Sequence, residues 1–255
     1  MVGAAYAAGE LDRFEHWANK LTWQAVVGLV DLKMGGGLIE GGKLVEFFRK
    51  QLNNQDIEQL PKKFACVATD LVSGREVWLR EGPVSDAVRA SIALPGVFTP
   101  TLRDGQLLVD GGLVNPVPVS LCRALGADIV IAVDLNWSLL GHHNRIAGEA
   151  KLDKASGLNG MAEAILAKFR PATTKANGPS KAIDMPSMLD VLTSSLNIMQ
   201  LRITQSRLAG EPADVMIHPK LANLAAMDFH RAGIAIAEGE RAAEHSLPMI
   251  LELLN

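Results

Sequence analysis

The chain has 255 residues, 48% hydrophobic and 21% charged, enough apolar material for a sizeable core under an ordinary polar surface. A formal charge of -3 and an isoelectric point near 6.1 give no electrostatic footing for nucleic acid. No apolar run approaches the roughly 18 to 20 residues that span a bilayer, and two cysteines, Cys66 and Cys122, make no disulfide framework.

In chain order, Met1 to Gly9 is small and apolar with no basic segment in front. It therefore reads as the inside of a buried helix ended by Gly9, not as a secretion signal. Leu11, Phe14, Trp17, Ala18 and Leu21 recur at helical spacing, so an amphipathic helix follows. Gly35-Gly36-Gly37 and Gly41-Gly42 punctuate the next stretch, and a short helix then carries Leu44, Val45, Phe47, Phe48 and Leu52. At Phe64 the period changes: Phe64 to Thr69 is a near-continuous apolar run, the pattern of a strand covered on both faces. The turn Ser73-Gly74 joins it to a second strand, Val77-Trp78-Leu79. A helix is expected over Val84 to Leu94, stopped by Pro95-Gly96, then a short strand Leu107-Leu108-Val109 that ends in Asp110-Gly111-Gly112. A helix over Val117 to Leu125 and a buried strand over Asp128 to Val133 complete this half. Both cysteines lie in apolar stretches and read as buried free thiols, which points to a reducing, cytoplasmic setting.

Between Asn136 and Pro186 the pattern gives way to Gly, Ser, Asn, Lys and Pro, interrupted by a weak helical stretch from Met161 to Phe169. Leu189, Leu192, Leu196, Met199 and Ile203 mark a long amphipathic helix, Val215-Met216-Ile217 a last strand, and Phe229 onward a helical tail broken or bent at Pro248. The expected division is a core over 1–136, a flexible linker or lid over 137–186, and a mainly helical remainder of the same domain over 187–255.

Alternating strands and helices of this kind indicate a layered α/β domain, whose chemistry gathers at strand carboxyl ends. Asp70, Asp110 and Asp134 all fall at or just past such ends. Asp70 and Asp134 fit strand termination as well as support of a site. Asp110 is followed by two glycines, which let the backbone turn tightly enough to bring a carboxylate against a neighbouring loop. Partial desolvation there would lift its pKa and make it a usable base.

The surrounding residues narrow this further. Ala68-Thr69-Asp70-Leu71-Val72-Ser73-Gly74, then Ala90 to Pro100, then Val109-Asp110-Gly111-Gly112-Leu113-Val114-Asn115-Pro116 stand in an order and spacing that closely resemble the bacterial patatin-like phospholipase family. Its neuropathy-target-esterase-like branch is the nearest, and Met1 to Gly9 and Gly37 to Gly41 fit it too. The resemblance implies a three-layer α/β/α domain around a mainly parallel sheet. It also implies a Ser–Asp dyad in which Asp110 accepts the serine proton, supported by Gly111, Gly112 and Asn115, without metal or cofactor. The implied substrates are phospholipids, lysophospholipids or other lipid esters, met in the cytoplasm or at the membrane periphery.

One part of the pattern is absent. No Gly-x-Ser-x-Gly nucleophile elbow and no Gly-x-Gly-x-x-Gly occurs in the 255 residues. In the family the helix matching Met1 to Ala8 follows directly behind that elbow, so the nucleophile is expected upstream of Met1 and the domain is expected to be incomplete at its N-terminus. The alternative is a non-catalytic binding or regulatory remnant of the same fold. Ser91 lacks flanking glycines for an elbow and reads as a packing residue, and Ser73 reads as a turn residue. His142-His143 has no Asp, Glu or Cys at ligand spacing, and Gly35-Gly36-Gly37 lacks the Gly-Lys-Ser/Thr ending of a phosphate loop. The stripe from Met185 to Met199 suits core packing better than contact with lipid.

Overall fold

A computed structural model describes residues 1–22, 24–25, 41–51, 55–137, 188–221, 223–224 and 228–255. The expected linker or lid, the stretch from Met161 to Phe169, His142-His143 and Gly35-Gly36-Gly37 lie outside the described residues, as do the side chains of Leu44, Phe47 and Phe48.

Helix α1 (Val2–Ala7) buries Ala4, Ala5 and Ala7 and leaves Val2 and Tyr6 exposed. Its end is set by Gly9, whose φ of +76° lets the Gly9 and Glu10 amides return to the Tyr6 and Ala5 carbonyls. Helix α2 (Leu11–Asn19) packs Phe14 onto the core and brings its ring to 5.5 Å from Trp17. Helix α3 spans Gly42–Gln51.

Four strands then form one sheet in the order β2-β1-β4-β3: β1 (Cys66–Asp70), β2 (Glu76–Leu79), β3 (Thr101–Arg103) and β4 (Gln106–Asp110). Every neighbouring pair is antiparallel. Two hairpins dictate this for β1–β2 and β3–β4, since connections this short reverse the chain. The first closes through Ser73-Gly74, the second through Asp104-Gly105, where both residues have positive φ. Helix α4 (Val84–Ser91) lies on the sheet and contributes Val84, Ala87, Val88 and Ala90 to the main core, with Ala4, Ala68, Leu79 and Leu108. Small side chains here let helices and sheet approach closely, and the methyl groups pack at interior density.

Helix α5 (Val119–Ala124) leads to β5 (Ile131–Val133), which pairs in parallel with β6 (Val215–Ile217). The long helix α6 (Met188–Gly210) precedes β6, and α7 (Ala232–Leu253) closes the chain, continuing through Pro248 without a break. The α/β class expected from the sequence is therefore present. Among the described residues the parallel pairing is confined to β5 and β6, while the hairpin-linked strands run antiparallel.

Two expectations change. Strand β5 is buried on one face only: Val130 and Ala132 pack with Val117 and Val119, while Ile131 and Val133 are exposed, because no described element covers that side. Cys122 is exposed at the surface of α5, and only Cys66 is partly enclosed. Apolar neighbours in sequence lie on different sides of a helix, so they did not report the position of the thiol.

Candidate active site around Asp110

Asp110 is the last residue of β4 and caps the 3-10 turn Gly111–Leu113. Its place is fixed from both sides. Its amide donates to the Ala93 carbonyl at 3.0 Å, and its own carbonyl accepts from the Thr69 hydroxyl at 2.8 Å. The register opposes it to Ala68. Thr69, Ala93 and Asp110 come from the three sequence blocks singled out above, and the fold brings all three to one point.

The carboxylate is half-buried, and Oδ1 accepts from the Gly112 amide at 2.6 Å. Among the described residues Oδ2 has no protein partner. Burial pushes the Asp110 pKa above the ordinary carboxylate range, and the Gly112 N–H offsets this in part. The result is a carboxylate with one oxygen held and the other available to take a proton.

Gly111 is required by space. A Cβ there would collide with the Val67 carbonyl oxygen and stand 2.6 Å from its carbonyl carbon, both backbone atoms of the neighbouring strand. Gly112 meets a different obstacle. A Cβ there would lie 2.7 Å from Nε2 of Gln200 and 2.9 Å from Asp110 Oδ1.

Asn115 is 3% exposed. Its side-chain amide donates to Glu76 Oε1 at 2.9 Å and to the Ser120 hydroxyl at 3.2 Å, and its backbone amide returns to the Gly111 carbonyl at 2.9 Å. It braces the loop after the aspartate. Glu76 also accepts from Trp78 at 2.7 Å and pairs with Arg207 at 2.7 Å. Burial works to raise the Glu76 pKa, but the bonds from Asn115 and Trp78 and the Arg207 charge outweigh it and hold the carboxyl below its usual range. These residues border a cleft of about 560 Å³ lined by Trp78, Ser120, Arg123 and Arg207. By strand register Glu76 and Trp78 lie on the sheet face opposite Ala68 and Asp110, so this cleft is separate from the aspartate.

Asp70 closes its own hairpin, accepting from the Val72 amide at 3.0 Å and the Ser73 hydroxyl at 2.6 Å. Asp134, 2% exposed, accepts from the Asn136 amide at 2.9 Å beyond β5. Both end strands. Ser91, the last residue of α4, lies beside the Cys66 thiol, which donates to the Ala87 carbonyl at 3.5 Å and whose pKa burial raises to about 11. Gln200 escaped notice in the sequence. Its one signal was a polar residue inside the run Ile198-Met199-Gln200-Leu201, and nothing local said which element that face would meet.

Among the described residues no helix is long and apolar enough to cross a membrane. Residues 1–123 match the family described as Patatin-like phospholipase. An uncharacterized NTE family protein of Mycobacterium tuberculosis strain H37Rv is 32% identical over 97% of this chain and 80% of its own length. A second NTE family protein of that strain is 42% identical over 38% of this chain and 17% of its own. A patatin-like phospholipase domain-containing protein of Caenorhabditis elegans is 34% identical over 53% of this chain and 10% of its own. With the first of these relatives aligned across nearly the whole sequence, the chain belongs to the patatin-like phospholipase family, in its NTE-like branch.

Proposed function

We propose that this chain carries the proton-accepting half of a serine lipid acyl hydrolase acting on phospholipids, lysophospholipids or related lipid esters in the cytoplasm or at the membrane periphery. Asp110 takes the proton of a serine hydroxyl as that oxygen attacks the ester carbonyl. It then returns the proton to the departing alcohol oxygen, leaving an acyl-enzyme that water hydrolyses by the same route. The observation that carries this reading is the half-buried Asp110 carboxylate at a strand end, one oxygen held by Gly112 and the other unpartnered among the described residues.

No Gly-x-Ser-x-Gly occurs in these 255 residues, so this reading requires a serine supplied from outside them. Asn115, Gly111 and Gly112 shape the loop. The alternative is a non-catalytic binding or regulatory remnant of the same fold.

The test is hydrolysis of a phospholipid and a short-chain ester by the full-length gene product and its Asp110→Asn variant, with labelling by a fluorophosphonate. The hydrolase reading expects labelling of the full-length protein, and a loss of about 10²- to 10⁴-fold in kcat on substitution. Unlabelled full-length protein without turnover favours the remnant, and turnover unaffected by Asp110→Asn removes Asp110 from the chemistry.

A further inference from the structure

The space above Gly112 is bordered by two polar atoms from different elements. Gln200 Nε2, from α6, stands 2.7 Å from the point a Gly112 Cβ would occupy, and Asp110 Oδ1 stands 2.9 Å from the same point. The amide nitrogen and the carboxylate oxygen therefore border the same methyl-sized volume. The orientation of the amide is set from behind, because its Oε1 accepts from the Asn136 side chain at 3.3 Å. That leaves Nε2, a donor with two hydrogens, turned toward the Asp110 loop.

We infer that Gln200 is a positioning residue for Asp110: held by Asn136 and set against Gly112, its amide keeps a hydrogen-bond donor facing the carboxylate and ties the orientation of that carboxylate to helix α6. This rests on the role proposed for Asp110. Glycine at 112 leaves that shared volume open. A methyl group would enter the volume the amide and carboxylate share. Asn136, one end of the clamp, follows Asp134 at the carboxyl end of β5, so the parallel strand pair and the antiparallel sheet meet at this amide.

The test uses the full-length protein with the Asp110 carboxyl carbon followed by NMR as pH is varied, a readout that requires no turnover. Among the described residues, burial and the Gly112 N–H are what shape this titration, so a new charge nearby is legible. Gln200→Glu, nearly isosteric, places a negative charge across the gap and should move the Asp110 midpoint up by about 0.5 to 2 pH units. Gln200→Lys should move it down. Opposite shifts from the two substitutions are what a purely structural role would not give, and either variant alone suffices if the other fails to fold. A midpoint unchanged in the folded variants overturns the inference. Where the protein turns over substrate, Gln200→Ala should lower kcat several-fold with KM little changed. If Asp110→Asn leaves turnover intact, the parent reading of Asp110 fails, while the titration still reports whether Gln200 faces it.

Discussion

The Asn115 side chain donates to the Glu76 carboxylate at 2.9 Å, so a residue five places beyond Asp110 is anchored on the edge strand at the far side of the sheet. Through Arg207, which pairs with the other Glu76 oxygen, the same anchor reaches α6. The aspartate loop is therefore held by side-chain bonds spanning both the sheet and the long helix.

Asn115→Ala should remove two side-chain bonds from a buried position and leave Glu76 and Ser120 short of a donor. The expected cost is about 1 to 3 kcal/mol, read as a lower urea midpoint with unchanged slope. Asn115→Asp should cost more, since it sets a second carboxylate against Glu76. A melt unaltered in both variants would mean the brace contributes nothing.

Asp110 opposes function to stability. Its folded pKa is raised by burial, so the folded protein holds the proton more tightly than the unfolded chain, and stability falls as pH rises from the unfolded value of about 3.9 through the folded one. Above that window the ionised carboxylate is a standing cost. Asp110→Asn keeps an acceptor for the Gly112 amide and drops the charge. It should melt at or above the wild-type temperature at pH 7, with the difference vanishing below about pH 3.5. Thermal melts at several pH values check this. A variant less stable at neutral pH would show that the charge is compensated by something else.

The two glycine types should respond differently to alanine. Gly74 has a φ of +68° and nothing within 4 Å of its would-be Cβ, so Gly74→Ala should cost only the backbone strain, about 1 to 2 kcal/mol. Gly111 has no such φ, but its Cβ would strike the Val67 backbone, which cannot swing aside as a side chain can. Gly111→Ala should force β1 and β4 apart at the site and cost about 3 kcal/mol or more. Paired urea melts test the ordering, and equal effects would refute it.

How much of this was legible follows from how local each feature is. The Ser73-Gly74 turn, the strand ending at Asp110 and the Gly9 helix stop are written in a few adjacent residues, and each appears where the sequence puts it. The need for glycine at 111 was visible as a tight turn, but its cause is the approach of Val67, which depends on the β1–β4 register. Glu76 meets Asn115 and Arg207 across 39 and 131 residues, and no pattern in either segment announces such a meeting. Gln200 was hidden for the same reason. A single polar residue in an apolar helical run says that something polar faces it, without saying what.

The exposed face of β5 yields a prediction about the 255-residue chain itself. Ile131 and Val133 project from the same face of β5, with Ile129 just before the strand and Leu135 just after it, and all four are exposed, so they leave a short apolar row on that side. Parallel strands are ordinarily covered on both faces, and a two-stranded pair offers open backbone donors and acceptors beside this row. Such a surface should drive self-association, as apolar area is removed from water at about 25 cal/mol per Å². Sedimentation velocity at micromolar concentration should show oligomers or aggregate. The double substitution Ile131→Lys with Val133→Lys should shift the protein toward monomer, since both side chains point to solvent and leave the Val130–Ala132 core untouched. Leu102→Lys, at a more exposed position beside Leu107 on the other sheet, should change nothing. A monodisperse wild-type monomer, or equal relief from Leu102→Lys, would show that the β5 row is not the associating surface.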